Sequence, residues 1–261
     1  MNPRDSLFDL TGKVALVTGS TKGIGKAIAA RMAQHGAKVV ISSRKADACE
    51  SVADEINKTY GDGKTVATPI PCNVSYKEQL EALVSTTRSK LGKIDILVGN
   101  AAVNPYYGPS IKCPDDAFDK IMDVNIKSNF WLTNMVVPEM VERKDGAIMI
   151  VSSIGGLRGS GILGAYAISK AADMQLVRNL AVEYSPHNIR VNAIAPGLVQ
   201  TDFAKALWEN PKVLEARNNE TPIRRIGQPD DIAGIAVFLA SRAGGFTTGQ
   251  TFVIDGGVTI T

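Results

Sequence analysis

The sequence predicts an α/β protein, a single domain built on a doubly wound parallel sheet of seven strands with helices on both faces. Two observations predict it. Seven short apolar runs alternate with patterns of helical period, and the alternation continues to the C-terminus without a repeat or a low-complexity linker. Strands separated by helices pair in parallel and are covered on both sides. The first run is followed at once by a glycine-rich turn, Thr18-Gly19-Ser20-Thr21-Lys22-Gly23-Ile24-Gly25, the place where a strand–turn–helix unit receives a phosphate.

The elements follow in order. Val14–Val17 is a buried strand, the pattern at 24–35 a helix, and Lys38–Ile41 the second strand of a βαβ unit. A helix at 46–58, a strand at Thr65–Ile70, a helix at 76–90 and a strand at Ile94–Val98 complete the first half. The long pattern at 115–141 contains Pro138, which is expected to kink or shorten that helix. Then come strand Ala147–Val151, helix 163–184, strand Arg190–Ile194, helix 229–241 and strand Thr251–Ile254. The regular alternation is broken at Gly197–Arg225, which carries Phe203, Leu207, Trp208 and Leu214 among many charges. Long excursions at the carboxyl end of a parallel strand are where ligand sites form, so 197–225 is expected to bind substrate.

Composition narrows the function. With 29 basic against 26 acidic residues the net charge is +3, and no basic stripe points to nucleic acid. No apolar run reaches membrane-span length, and the start Met-Asn-Pro-Arg-Asp has no signal-peptide core. Cys49, Cys72 and Cys113 lack metal or disulfide spacing, which favours reduced thiols in the cytoplasm. His35 and His187 stand apart from the motifs, so no metal site is expected. The tail Val258-Thr259-Ile260-Thr261 carries no peroxisomal tripeptide.

Tyr166 and Lys170 are four positions apart in the expected fifth long helix, with Ser153 thirteen positions before the tyrosine. Four residues are about one helical turn, so phenol and ammonium share a face. A phenol of pKa roughly 10 holds its proton at neutral pH, and a nearby cation makes it a usable acid and base.

With these motifs in this order, the chain resembles the short-chain dehydrogenase/reductase family, a Rossmann fold, from about Leu10 to Gly257. The resemblance rests on the glycine-rich turn, Gly99-Asn100-Ala101-Ala102, Asn125, Ser153, Tyr166 with Lys170, and Pro196-Gly197. It implies that Tyr166 exchanges a proton with the substrate oxygen. Lys170 lowers the phenol's pKa and binds the nicotinamide ribose, Ser153 rather than Ser152 holds the substrate oxygen, and Asn125 holds a water linking Lys170 to solvent. Ser160 and Ser169 are read as structural, and Phe130 with Trp131 as core or subunit interface.

The resemblance also implies a cofactor cradle of Gly19, Ser20, Thr21, Lys22, Gly23, Ile24 and Gly25. Further contacts are expected from Ser43, Arg44, Asn73, Val74, Asn100, Ala101, Ala102, Tyr166, Lys170, Pro196, Gly197, Val199 and Thr201. Asn73 stands where most relatives have aspartate, and Gly99 and Ala102 depart from the usual Asn-Asn-Ala-Gly. After the second strand the chain reads Ser42-Ser43-Arg44-Lys45, with no acid before Asp47. An acid there would bond the ribose diol, whereas Arg44 can fork onto a 2′-phosphate. NADP is therefore favoured over NAD, with Lys22 expected to converge on the same phosphate.

Stretches such as Ile223-Arg224-Arg225-Ile226-Gly227 look like the NADP-dependent carbonyl and retinal reductase branch. The resemblance thus implies an enzyme interconverting a ketone or aldehyde and an alcohol, assembled as a homotetramer. A 3-oxoacyl-carrier-protein reductase, with Arg224 and Arg225 meeting an acidic carrier, is an alternative, as is an NAD-dependent sugar or steroid alcohol dehydrogenase. A non-catalytic nucleotide-sensing regulator is remote, because the tyrosine and lysine are both kept. Enoyl reductases of this fold space those two residues differently.

Overall fold

A computed structural model describes residues 7–261; the Met-Asn-Pro-Arg-Asp start and the first six positions of the expected 1–261 domain lie outside the described residues. Seven parallel strands form one sheet in the order β3-β2-β1-β4-β5-β6-β7. They are β1 (Val14–Thr18), β2 (Lys38–Ser42), β3 (Ala67–Pro69), β4 (Ile96–Gly99), β5 (Gly146–Val151), β6 (Ile189–Pro196) and β7 (Thr251–Ile254). The order reverses between β1 and β4, and at such a switch point the strand ends open a crevice for a ligand.

Successive side chains point to opposite faces, and the inner strands β1, β4 and β5 are buried on both. Ala15, Val17, Val39, Ile41, Ile96 and Val98 point into one core. There they meet α1 (Gly23–Gln34), α2 (Ala46–Tyr60) and α8 (Pro229–Ala240). Leu16, Val40, Leu97, Ile148 and Ile150 point into the other core, against α3 (Lys77–Leu91), α5 (Ser128–Arg143) and α6 (Gly164–Tyr184).

Three expectations are corrected. The third strand is shorter than Thr65–Ile70 and ends on Pro69, which a sheet edge tolerates because no further neighbour needs its N–H. The long pattern 115–141 is two helices, α4 (Asp115–Met122) and α5, joined by one wide π-type turn at Asp123–Lys127. Pro138 does not shorten α5, which runs on to Arg143. Pro138 and Asn134 face solvent, so water can take the carbonyl that the proline leaves without a donor.

The excursion after β6 forms a 3-10 turn at Asp202–Leu207 and α7 (Pro211–Glu220). It lies over the carboxyl ends of the strands and is tied to the chain before α8, where Val199 bridges Gly227. No helix among the described residues is long and apolar enough to cross a membrane.

Candidate active site

A cavity of about 1010 Å³ opens along the carboxyl ends of the strands. Its floor begins at the turn between β1 and α1. Gly19 and Gly23 have φ of +64° and +56°, which side chains rarely adopt. A Cβ on Gly19 would stand 3.0 Å from the Asn100 amide, and one on Gly23 would stand 3.0 Å from Thr201. The turn is stapled to β4: Thr18 Oγ1 accepts from the N–H groups of Asn100 and Ala101 (3.0 and 3.1 Å). The Asn100 side-chain amide in turn donates to the carbonyls of Thr18 and Gly19 (2.9 and 3.1 Å).

Most residues expected at the cofactor line this cavity. Gly19, Thr21, Lys22, Gly23 and Ile24 form one wall, and Ser43, Arg44, Asn73 and Val74 the end beyond β2. Asn100, Ala101, Ala102, Pro196, Gly197, Val199 and Thr201 line the middle. Ser20 and Gly25 do not. Ser20 is fully buried and knits β1 to β2, donating to the carbonyl of Val17 (2.7 Å) and accepting from the N–H of Ser42 (2.8 Å). Gly25 lies behind the turn, where a Cβ would collide with the Gly19 carbonyl and the Asn100 amide.

The two basic groups expected at a 2′-phosphate differ. Arg44 is exposed at the lip of the cavity. The Lys22 ammonium is drawn to Asp202 on the excursion, 3.2 Å away, with both side chains about two-thirds exposed; such a pair is worth no more than about 1 kcal/mol and is readily given up. No acidic side chain lines the end beyond β2. The cradle thus fits a dinucleotide.

At the opposite end β5 delivers Ser152 and Ser153, and the first turn of α6 delivers Tyr166. The two serines separate cleanly. Ser152 is buried and donates to the carbonyl of Lys170 (2.7 Å), whereas Ser153 lines the cavity and accepts from the N–H of Gly155 (3.0 Å). Tyr166 is half-buried and faces the cavity. Burial pushes its phenol above the ordinary value, while Lys170 and the Ser153 hydroxyl pull it back. Lys170 acts in the expected downward direction, but withdrawal from water is the larger effect and the net direction is upward.

Lys170 is fully buried. Its ammonium lies 5.8 Å from the Tyr166 ring centroid, 3.0 Å from the carbonyl of Val151 and 2.9 Å from the Asp173 carboxylate. Asp173 and its second partner, Asn129, were not predicted as site residues. Asn125 is brought near, beside Val103 and Ser169. Its side chain clamps Val103 through N–H (2.8 Å) and carbonyl (3.1 Å) and donates to Ser169 Oγ (3.0 Å). Asn125 lies in the wide turn 123–127, a feature often kept at functional sites.

The end beside Tyr166 is walled by Tyr107, Leu163, Phe203 and Leu207, with Arg158 near the mouth. Ser160 accepts from the N–H groups of Ile162 and Leu163, a structural turn as expected. Trp208 is committed to the carbonyl of Thr201 (2.9 Å). Cys72 also lines the cavity, but burial pushes its thiol up to about 12, so it is no nucleophile. Arg225, proposed above to greet an acidic carrier, is committed to Asp231 (2.9 Å) and lies off the cavity, as does Arg224.

The family model described as Enoyl-(Acyl carrier protein) reductase matches residues 19–259. Dehydrogenase/reductase SDR family member 4 of Sus scrofa is 46% identical over 248 residues, covering 95% of this chain and 88% of that protein. A gluconate 5-dehydrogenase from Burkholderia cenocepacia, solved with NADP and tartrate, superposes with a TM-score of 0.92 at 30% identity, covering 98% of each chain. A 7α-hydroxysteroid dehydrogenase, solved with NADH and 7-oxo glycochenodeoxycholic acid, superposes with a TM-score of 0.91 at 39% identity, covering 98% of this chain and 97% of that one.

Proposed function

The chain belongs to the short-chain dehydrogenase/reductase family and is an NAD(P)-dependent oxidoreductase, and from that premise we propose that it uses NADP(H) to interconvert a ketone or aldehyde and an alcohol, as a carbonyl reductase. The observation that carries this reading is Tyr166 on the cavity wall beside Ser153, with Lys170 one turn behind it. When bound, the nicotinamide supplies or accepts the hydride; the protein manages one proton. Tyr166 gives its phenolic proton to the carbonyl oxygen in reduction and removes it from the alcohol in oxidation. Ser153 donates to the same oxygen, where negative charge develops. Lys170 keeps positive charge under the phenol and would hold the ribose of a bound cofactor, and Asn125 fixes Val103 and the start of α6 around them.

Arg44 and Ser43 at the adenosine end, with no acid beside them, support NADP over NAD. The apolar wall of Leu163, Phe203 and Leu207 supports a moderately apolar substrate. Exposed Phe130 on α5, Ile168 and Val182 on α6, and Val253 on β7 support a homotetramer paired through those faces. The three cysteines, all free, suit a reducing compartment such as the cytoplasm.

The test is a panel of an aromatic ketone, an α-dicarbonyl, a 3-oxoacyl thioester, a 7-oxo steroid and 5-ketogluconate. Each is assayed with NADPH and NADH, for the wild type and for Tyr166→Phe. The reading expects the fastest turnover on an aromatic ketone or dicarbonyl with NADPH, and loss of at least a hundredfold in Tyr166→Phe with NADPH binding retained. Undiminished turnover in that variant would remove Tyr166 from the chemistry.

A further inference from the structure

Lys170 and Asp173 stand three residues apart on the sheet-facing side of α6, and both are withdrawn from water (1% and 0% exposed). A buried ion pair is a poor source of net stability, because desolvating two charges cancels most of their attraction. Two apolar side chains would serve the fold as well, so the pair calls for another reason.

Its surroundings are fitted to it. Asp173 Oδ2 accepts from Lys170 Nζ (2.9 Å), and Asp173 Oδ1 accepts from the Asn129 side chain (3.1 Å). The same Asn129 amide donates to the carbonyl of Asn125 (2.8 Å). Room for Asn129 exists because position 99 is glycine: a Cβ there would run into Asn129 Oδ1. Three residues on β4, α5 and α6 are therefore matched around one ammonium.

We propose that Asp173 is a positioning residue for the reaction: it anchors the Lys170 ammonium against the Val151 carbonyl and tempers its pull on the Tyr166 proton, so that Tyr166 meets its substrate as the protonated acid. This rests on the reading of Tyr166 as the acid and base. Burial works against charge on Lys170, but the Asp173 carboxylate and then the phenol outweigh it. Burial also lifts the Asp173 carboxyl, with Lys170 and Asn129 holding it back. An ordinary amine is some six units more basic than an ordinary carboxyl, roughly, so the proton stays on the lysine. Seen from the phenol, Asp173 acts against Lys170 and favours the protonated form. The other groups around the phenol are few. Tyr107, from the loop after β4, also raises it, and Ser153 from the end of β5 lowers it. The turn at 123–127 and α5 present the neutral amides of Asn125 and Asn129.

The test compares wild type, Asp173→Asn and Asp173→Glu by two readouts. One is the pH profile of alcohol oxidation. The other is ultraviolet titration of the phenolate in the protein without cofactor, each read as a difference from the same protein carrying Tyr166→Phe. With the Val151 carbonyl and the phenol still holding the Lys170 ammonium, removing the carboxylate charge is expected to move both inflections to lower pH by roughly one unit. Asp173→Glu is expected to keep the wild-type position, and an upward move in Asp173→Asn overturns the proposal. Asp173→Ala, which leaves room for a water beside the ammonium, carries the same expectation should the asparagine variant not fold. Unmoved inflections in a folded variant overturn the proposal and make the acid a packing group. So does failure of both neutral variants to fold while the glutamate variant folds. Turnover surviving in Tyr166→Phe sinks the acid–base reading itself, whereas an inactive Tyr166→Phe with unmoved inflections sinks only the role of Asp173.

Discussion

The ring of Phe203 lies 6.1 Å from the ring of Tyr166, tilted by 40°, so the excursion after β6 places an aromatic wall beside the proposed acid. Phe203 is 47% exposed. The excursion reaches over from β6 and meets the turn between β1 and α1 through Thr201 against Gly23 and Asp202 against Lys22. The proposed substrate wall and the proposed cofactor contacts thus lie side by side along one short segment.

Phe203→Ala should therefore lower kcat/KM for an aromatic ketone by roughly ten- to a hundredfold, the range expected for losing an aromatic contact and part of a pocket wall. Most of the loss should appear in KM, and the Kd of NADPH should hold. Fluorescence titration of NADPH beside steady-state kinetics checks this; equal losses in both would mean that the ring organises the whole cleft.

Arg44→Asp should reverse cofactor choice. Arg44 stands exposed at the lip with no acidic side chain along that end of the cavity. Losing a charge-assisted contact to a phosphate costs about 1.5–3 kcal/mol, and the new carboxylate can accept from the ribose diol that NAD offers. The ratio of kcat/KM for NADPH to that for NADH is expected to fall roughly a hundredfold. A ratio that stays put removes Arg44 from the phosphate.

The sheet was legible because strands buried on both faces are unbroken apolar runs, and all seven lie within a residue or two of the expected place. Thr65–Ile70 extends past β3 because its flanks carry the same residue types, and Val66 and Ile70 still hydrogen-bond to the backbone of Val39 and Ile41 in β2. The cavity-facing glycines, Tyr166, Lys170 and Ser153 were legible because their spacing is tied to their contacts. Ser20 and Gly25 share a motif with residues that line the cavity, and only the path of the chain shows that they support it from behind. The wide turn at 123–127 inserts a residue without changing composition, so the period of 115–141 reads as one helix. Asp173 could have been found: an acid three residues after Lys170, on the same face as Met174 and Val177, sits where a helix otherwise presents apolar groups to the sheet. An acid in a helix is ordinarily solvated, and nothing in the chain marks Asn129 as its partner.

Asp231 gives the last prediction, on how the excursion is held. It closes the capping box of α8 by accepting from the N–H of Gln228 (2.7 Å), and it pairs with Arg225 at the end of the excursion. The Arg225 hydrogen bond first, and the Gln228 N–H second, hold its carboxyl down at about 2. A carboxyl depressed in the folded state lends stability above its unfolded pKa and loses it as pH falls through the folded value. The contribution is therefore complete above pH about 4 and disappears by about 2. Asp231→Ala should cost about 1 kcal/mol at pH 7, chiefly through the cap, since a pair this exposed adds little. That corresponds to a Tm lower by about 2–4 °C for a chain of this length. Melts of both proteins from pH 7 down to pH 2 should show the gap narrowing over the last two units, because the wild-type carboxylate is itself being protonated there. A gap of constant size across that range would mean that the ionised form of Asp231 contributes nothing, leaving its side chain as a packing group at the foot of α8.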